Sequence, residues 1–237
     1  MSIPYFYIKQ DCQVGQEIIL PEETSKHMIQ VLRMEAGESI SLTNGDGGYG
    51  EAVITDPHKK KCRVEVKGYS YIHRDPLNVC IAISPLKNAS RFEWFLEKAT
   101  EIGVNEIIPL LCTRTEKHHL RMDRLQGILV SAMLQSQQIW LPVLREPVRF
   151  SEAISHQTME NKWIAHCNEK EERSELADLD SRGNSIILIG PEGDFTSEEV
   201  DQALGKGFKP VSLGHTRLRT ETAGIAAAVM LRMMSNR

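Results

Sequence analysis

The chain reads Ile186-Ile187-Leu188-Ile189-Gly190-Pro191-Glu192-Gly193, an apolar run that ends in a glycine-rich turn. A second pair of the same kind follows, in which Val211-Ser212-Leu213 leads into Gly214-His215-Thr216-Arg217-Leu218-Arg219-Thr220-Glu221. A short β-branched run that stops at glycine is typical of a buried strand whose end lies close to a ligand or another backbone. Two such strands, each followed by a helical pattern, predict a ligand-binding crevice at the carboxyl edge of a parallel sheet.

Composition and charge indicate a globular protein rather than a general binder of nucleic acid. The 237 residues suffice for one large or two ordinary domains, and 41% of them are hydrophobic, as in typical folded proteins. The net charge of −4 provides no bulk attraction for RNA. Basic clusters occur at residues 59–74 and 110–149, and such clusters are more often solvated faces than nucleic-acid contacts.

The cysteines and the N-terminus predict a cytoplasmic protein. The five cysteines are scattered without a Cys-x-x-Cys pair, which argues for a reducing compartment and against structural zinc or disulfides. The first residues lack the basic and apolar regions of a signal peptide, and no apolar run approaches membrane length. We therefore expect no metal and no membrane partner.

Residues 1–72 predict a small β-barrel domain. Five short strand-like runs occur, at Tyr5–Ile8, Glu17–Leu20, Ser39–Thr43, Tyr49–Thr55 and Cys62–Val66. The glycine-rich sequence 44–48 between two of them is typical of a hairpin turn, because glycine accepts positive φ at no steric cost. One helix is expected after Pro21, with Met28, Val31 and Leu32 on a single apolar face.

Residues 73–237 predict an α/β domain with a largely parallel sheet and helices on both faces. Strands and helices alternate from residue 79 onward. Strands are expected at Val79–Ile83, Ile107–Leu111, Trp163–Ala165 and Ile186–Ile189. Helices are expected from a capping box at Ser90 to Gly103, over Met122–Gln138, from a second capping box at Thr196, and over Thr220–Met234.

Two arginines beside the second turn suggest an anionic ligand. Arg217 and Arg219 stand just ahead of a helix start at Thr220, where the positive end of the helix dipole repels cations. An anion or an electron-rich group between them would remove that conflict, and Glu221 is the simpler alternative partner. Neither a P-loop nor a G-x-G-x-x-G pattern is present, which argues against phosphate-loop and Rossmann nucleotide sites.

The segments Leu188–Gly193 and Leu213–Ala223, at this spacing, resemble those of the RsmE family. This family belongs to the SPOUT superfamily and comprises the 16S rRNA uridine-N3 methyltransferases. The resemblance covers essentially the whole chain. The other matching segments are Phe92–Val104 with Lys98, Ala99, Glu101 and Gly103, Ile107–Leu110 followed by Arg114, and His27 with Val31–Arg33.

The resemblance implies a C-terminal trefoil knot, an N-terminal PUA-like RNA-binding β-barrel, and a homodimer that acts on 16S rRNA or the small ribosomal subunit. It also implies S-adenosylmethionine as cofactor, bent within the knot and held largely by backbone groups. Close backbone approach to the adenine explains the glycines. The residues implied for cofactor binding are His166, Leu188, Ile189, Gly190, Pro191, Glu192, Gly193, Leu213, Gly214, Leu218 and Thr220.

The chemistry implied for this family requires a proton to leave uridine N3, which spreads negative charge over the flanking carbonyl oxygens. A guanidinium stabilises such charge and lowers the pKa of N3. Arg219 is the expected catalytic residue, with Arg217 assisting and with either Glu221 or a water molecule as base. Two alternatives stay open: a SPOUT enzyme that modifies tRNA or a ribose 2′-hydroxyl, and a non-catalytic RNA-binding protein.

The RNA contacts and four departures from the family pattern complete the sequence-based interpretation. The residues expected to contact RNA are His27, Arg33, Lys59, Lys60, Lys61 and Arg114. The family pattern Ala-x-Glu-Gln-x-x-Arg begins here at Ala132 but has Leu134 and Gln138 in place of its acid and its arginine. Thr216 replaces a further arginine and Arg217 replaces an aliphatic residue, so the charge lost at Gln138 and the charge gained at Arg217 are expected to compensate one another.

Overall fold

The computed structural model describes residues 3–155, 158–167, 173–179 and 183–235. The chain forms two compact units, of which the first comprises Met1–Arg74 with Met133–Leu141 and the second comprises the rest. The sequence analysis predicted a domain boundary between residues 72 and 73. It did not predict that residues 133–141 belong to the first unit. Within the described part of the chain, no helix has the length and apolar character needed to cross a membrane.

The first unit is a five-stranded sheet with one short helix. Its elements are β1 (Tyr5–Tyr7), β2 (Glu17–Ile19), α1 (Glu22–Lys26), β3 (Ser39–Thr43), β4 (Gly48–Asp56) and β5 (Arg63–Tyr71). The strand order is β1-β3-β4-β5-β2, with β1 and β3 parallel and the other pairs antiparallel. Two register shifts between β4 and β5 bend the sheet around its core, because bulged strands bend and twist locally.

The predicted hairpin turn is present between β3 and β4. The Asn44 side-chain oxygen accepts hydrogen bonds from the backbone N–H groups of Asp46 and Gly48, both at 2.8 Å. Gly45 and Gly47 have φ of 73° and 88°. The turn therefore uses its glycines for positive φ, as the sequence indicated.

The predicted apolar face of the first helix is wrong. After α1 the chain continues as a π-helical turn over His27–Val31, in which the Leu32 N–H donates to the His27 carbonyl at 3.0 Å. Met28 is fully buried, whereas Val31 and Leu32 are exposed by 66% and 44%. A π turn rotates each residue by less than an α turn does, so these two side chains leave the face of Met28.

The second unit contains the predicted parallel sheet. Its strands are β6 (Val79–Ile83), β7 (Glu106–Leu111), β8 (Val143–Leu144), β9 (Val148–Arg149), β10 (Asn161–Ala165), β11 (Ser174–Glu175), β12 (Ser185–Ile189) and β13 (Lys209–Ser212). Its helices are α2 (Ala89–Ile102), α3 (Met122–Gln135, which ends in the first unit), α4 (Phe150–Ser155), α5 (Ser197–Gly205) and α6 (Thr220–Ser235), with a 3₁₀ turn at Leu176–Asp178. The strand order is β11-β13-β10-β12-β6-β7-β8, with β9 also paired to β7. All of these pairs are parallel.

Both faces of this sheet are covered by helices, as predicted. Successive residues of a strand point to opposite faces, and Ala82 of β6 lies in a core cluster with Val200 of α5 and residues of α4. On the other face α2 and α6 pack closely. A side chain on Gly224 of α6 would come within 2.7 Å of Phe95 and 2.8 Å of Ile83, so glycine is needed for this approach. The knot stays a prediction.

The helix starts confirm one capping prediction and correct the other. Thr196 caps α5 with both halves of the capping box, because its side chain accepts from the Glu199 N–H and the Glu199 carboxylate accepts from the Thr196 N–H. The predicted cap at Ser90 is wrong. Asn88 caps α2 instead, accepting from the Ser90 N–H at 3.0 Å, because asparagine side chains reach this position equally well.

Candidate active site

A cavity of about 470 Å³ lies at the carboxyl ends of β10, β12 and β13. These three strands are parallel neighbours, so the loops that follow them meet at one edge of the sheet. The predicted residues that line the cavity are His166, Ile189, Gly190, Pro191, Glu192, Leu213, Gly214, Arg217, Leu218, Arg219, Thr220 and Glu221. The crevice predicted from the two glycine-rich turns is thus present.

Two residues implied for cofactor binding lie elsewhere. Leu188 is fully buried in the core cluster that packs against α5, and it is absent from the cavity lining. Gly193 lines an adjoining cavity of about 420 Å³. Arg114 and Arg217 also line this adjoining cavity. Arg217 therefore borders both cavities, and two guanidinium groups border the second one.

The sequence analysis missed Asp194, which connects the loops around the cavity. Its carboxylate accepts hydrogen bonds from the Cys167 N–H and the Phe195 N–H, both at 2.8 Å. Asp194 has a φ of 64°, a conformation that aspartate tolerates better than most residues. Its place directly after the Gly-Pro-Glu-Gly turn is a signal that would have indicated a local hydrogen-bonding role.

Arg114, in the segment after β7, forms hydrogen bonds to the same loop. Its guanidinium donates to the carbonyl oxygens of Gly193 and Phe195, at 2.6 and 3.4 Å. Nearby, the buried Glu199 carboxylate accepts from the N–H and the hydroxyl of Thr113, at 2.7 and 3.0 Å. Arg114, which the sequence analysis predicted to contact RNA, therefore stabilises the loop that borders both cavities.

The two glycines of the cavity have different structural reasons. A Cβ on Gly190 would lie 3.1 Å from two ring carbons of Phe195 and 3.3 Å from its backbone nitrogen. The absence of a side chain at Gly190 thus makes room for Phe195. The sequence analysis had explained the glycines only by the close approach of the backbone to the cofactor. Gly214 has a φ of 120°, and a Cβ there would meet no atom within 4 Å, so its requirement is conformational.

The predicted catalytic residues surround the start of α6. Arg217 and Arg219 are exposed at the cavity wall, and neither guanidinium group has a hydrogen bond or an ion pair among the described residues. Glu221 is 7% exposed, and its Oε1 lies 3.7 Å from Nε of Arg91 on α2. The alternative in which Glu221 pairs with the two arginines is therefore wrong, since its cationic neighbour is Arg91, a cavity residue that the sequence analysis missed.

The Glu221 carboxylate retains an unused acceptor. Its Oε2 is buried and has no hydrogen-bond partner among the described residues. A buried carboxylate oxygen without a donor costs free energy, which a ligand N–H or O–H group could offset. Within the described ranges, no group of three or more His, Cys, Asp or Glu side chains is arranged to hold a metal ion.

The basic residues predicted to contact RNA in the first unit lie on exposed turns. His27 and Arg33 are exposed, and Lys59, Lys60 and Lys61 occupy the turn between β4 and β5. Glu22 brings these regions together, because its Oε1 lies 2.6 Å from the Lys26 ammonium and 4.0 Å from that of Lys60. The hydrogen bond from Lys26 and the charges of both lysines lower the pKa of Glu22.

Two family models match the chain, one in each region. Residues 73–232 match an RNA methyltransferase domain, and residues 20–67 match an RNA methyltransferase PUA domain. The first match spans most of the chain and includes every residue of the 470 Å³ cavity. The second spans much of the five-stranded unit, including the Lys59–Lys61 turn.

Solved structures and curated sequences of similar length agree with these matches. The crystal structure of a probable rRNA-methyltransferase from Porphyromonas gingivalis is 37% identical, covers 99% of both chains and has a TM-score of 0.90. A ribosomal RNA small subunit methyltransferase E from Neisseria gonorrhoeae, bound to S-adenosyl methionine, is 31% identical over 98% of both chains with a TM-score of 0.89. Ribosomal RNA small subunit methyltransferase E of Rickettsia conorii is 28% identical over 100% of this chain and 98% of its own.

Proposed function

This chain belongs to the ribosomal RNA small subunit methyltransferase E family, and we propose that it methylates N3 of a uridine in 16S rRNA. As a member of this family it is an S-adenosylmethionine-dependent rRNA methyltransferase. The observation that supports the proposed target atom is the cavity at the ends of β10, β12 and β13, with Arg217 and Arg219 on its wall. These two cations suit an acceptor base that becomes negative during the reaction.

The cavity has the features that S-adenosylmethionine requires. Its wall combines apolar side chains, such as Ile189, Leu213 and Leu218, with backbone groups of glycine-rich loops. When bound, S-adenosylmethionine supplies a methyl group on a sulfonium sulfur. The residues proposed to hold it are those of the three loops, His166–Cys167, Ile189–Glu192 and Leu213–Thr220.

Arg219 is the proposed catalytic residue. Uridine N3 is protonated at neutral pH, so it becomes nucleophilic only when its proton leaves and negative charge spreads to O2 and O4. A guanidinium beside those oxygens stabilises the anion without itself changing protonation state. Arg219 is exposed at the cavity wall and its guanidinium has no partner among the described residues, so its donors can turn to a substrate base.

Glu221 is the proposed proton acceptor, and Arg91 is proposed to position it. Arg91 Nε lies 3.7 Å from Glu221 Oε1 and so orients the carboxylate through that oxygen. The second oxygen, Oε2, then keeps its lone pairs for a proton or a water molecule. Arg217, which borders both cavities, is proposed to contact a phosphate next to the target nucleotide.

The proposed enzyme is a cytoplasmic homodimer that recognises RNA through both units. The two helices α2 and α6 expose large apolar side chains, with Trp94, Val229 and Met233 exposed by 44%, 39% and 61%. Such side chains on neighbouring helices suit a contact between two copies of the chain. His27, Arg33 and the three lysines of the β4–β5 turn are proposed to contact phosphates, which position an RNA without reading its sequence.

The decisive experiment measures methyl transfer and then identifies the product. Wild-type protein is incubated with S-adenosylmethionine carrying a labelled methyl group and with 16S rRNA, small subunits or tRNA, and the RNA is digested to nucleosides. We expect label only in rRNA and only as 3-methyluridine. Label in tRNA, or on a ribose oxygen, would instead support the alternative SPOUT activity.

A calorimetric titration with S-adenosylmethionine distinguishes the enzyme from a non-catalytic RNA-binding protein. We expect saturable heat at one site per chain. A protein that folds normally and binds RNA but gives no heat would contradict an enzymatic role.

A further inference from the structure

A third cavity, of about 320 Å³, lies entirely within the first unit. We propose that it binds an unpaired adenine of the RNA substrate, an inference that rests on the proposed function. Its volume lies at the lower end of the roughly 300–1,000 Å³ typical of small-ligand sites. The lining residues are Tyr5, Tyr49, Ile72, Gln137, Gln138, Ile139 and Trp140.

The aromatic side chains of this cavity offer stacking surfaces. The rings of Tyr5 and Tyr49 lie 5.8 Å apart and are inclined by 34°, and Trp140 forms another part of the wall. Proteins that read single-stranded RNA stack splayed bases on such rings and form hydrogen bonds to their edges. The mixture of aromatic and amide side chains fits a nucleobase better than it fits an aliphatic ligand.

An arginine side chain lies next to Trp140, which forms part of the cavity wall. The Arg74 guanidinium lies over the Trp140 ring, 5.2 Å from its centroid. A nucleotide in the cavity would place its base against the Trp140 ring and its phosphate near the Arg74 guanidinium, whereas an aliphatic peptide side chain would offer neither a ring nor a charge.

Gln137 occupies a backbone position that normally favours glycine. It follows the end of α3 with a φ of 55°. Its N–H donates to the Leu134 carbonyl at 3.1 Å, and the Gln138 N–H donates to the Met133 carbonyl at 2.9 Å. This is the Schellman pattern, in which the left-handed residue is usually glycine. A glutamine here costs free energy that a glycine would avoid, and its exposed side chain lines the cavity.

The two neighbouring amides point to adenine. A glutamine amide donates and accepts at once, and it can pair with both N6 and N7 of adenine. Gln138, which also lines the cavity, stands where the family pattern has arginine. The Gln138 amide is thus a second polar group on the same wall as Gln137.

The test compares Gln137→Gly and Tyr49→Leu with Gln10→Ala, a control on an exposed glutamine of the same unit. Full-length protein is titrated against labelled single-stranded oligoadenylate, oligouridylate and an RNA duplex, with fluorescence anisotropy as the readout. Gln137→Gly is expected to melt at or above the wild-type temperature. It should nevertheless bind oligoadenylate roughly 5- to 100-fold more weakly, the range for one lost bidentate base contact.

The control and the other probes make the result decisive. Tyr49→Leu should also weaken oligoadenylate binding, while Gln10→Ala should not change it. Wild-type affinity in both cavity variants would overturn the proposal, and so would a wild-type protein that prefers oligouridylate or the duplex. Methyl transfer to 16S rRNA is measured separately on the wild type, so a failed proposed function would show there while the oligonucleotide titrations still decide the cavity.

Discussion

The two units present their polar groups in opposite ways. The cavity of the second unit is formed by the loops at the ends of three paired strands, and Glu221 and His166 on its wall are buried. The basic residues of the first unit, such as Lys59 and Arg33, stand exposed on turns. A site built from the loops of several strands depends on strand register and loop packing, whereas an exposed basic turn depends mainly on charge. Substitutions should therefore change rate or folding in one unit and salt-dependent affinity in the other.

The largest effect is expected from Arg219→Ala, which tests whether the second unit performs chemistry through one side chain. Its single-turnover rate should fall roughly 10²–10³-fold, the scale for losing one preorganised charge-stabilising donor. Cofactor affinity should change little, because the loops are proposed to hold the cofactor largely through backbone. Raising the pH should partly restore the rate, since more uridine then ionises without help.

Arg219→Lys is the matched control for this prediction. It should recover only part of the rate, because an ammonium cannot bridge two acceptors as a planar guanidinium does. If Arg219→Ala lost cofactor affinity and kept its saturated rate, the arginine would be structural and catalysis would require Arg217.

A smaller effect, on stability, is expected from Gly190→Ala. The added Cβ would lie 3.1 Å from the Phe195 ring, and overpacking of this kind typically costs about 1–3 kcal/mol of unfolding free energy. Gly205→Ala is the matched control, because a Cβ at that end of α5 meets no atom within 4 Å. Denaturant unfolding of both variants measures the difference.

Adding Phe195→Leu to Gly190→Ala separates the Phe195 contact from other causes. The double variant should recover part of the lost stability if the ring is the obstacle. Equal unfolding free energies for Gly190→Ala and the wild type would show that the loop adjusts and that its packing is not demanding.

Replacing Lys59, Lys60 and Lys61 together with alanine tests the charge-dependent unit. RNA affinity should fall, and the slope of log affinity against log salt should become shallower by up to about 2, given roughly 0.7 per phosphate contact in single strands. Lys98→Ala is a control, since that lysine is already paired with Glu97 and Glu101. An unchanged slope in the triple variant would argue against the β4–β5 turn as an RNA contact.

The smallest effect is expected from Tyr69 at alkaline pH. Burial and the hydrogen bond from its hydroxyl to Asp11 at 2.9 Å raise the pKa of Tyr69 from 10.0 to about 12. The raised pKa means that Tyr69 contributes stability fully below pH 10.0 and loses this contribution as the pH rises to about 12. Tyr69→Phe should therefore flatten the fall in unfolding free energy over this window, measured by denaturant titration at each pH. A slope identical to wild type would contradict the assignment.

The sequence predicted most of the second unit because its signals are local. Apolar runs, the Thr196 capping box and the glycine after α2 each depend on residues a few positions apart. The same local rules failed at Val31 and Leu32, where a π turn replaced the expected α-helical periodicity. The capping position at Asn88 was missed for a related reason, since two good capping residues stand close together and only the backbone decides between them.

The site was predicted in part. The glycine-rich turns and the two arginines predicted a ligand-binding crevice, and in the structure both turns and both arginines line one cavity. Arg91 and Asp194 were missed because their partners, Glu221 and Cys167, are distant in sequence. No pattern within one segment encodes such pairs.

By itself the sequence determined the kinds of elements, the places where strands stop, and the residues that would resemble a known family. Only the tertiary structure decided that β13 and β12 flank β10, which brings three separate loops to one cavity, and that residues 133–141 join the first unit beside Tyr5 and Tyr49. Local propensity depends on neighbours along the chain. Strand order and cavity walls depend on contacts between distant segments, whose free energy is gained only when the whole sheet has formed.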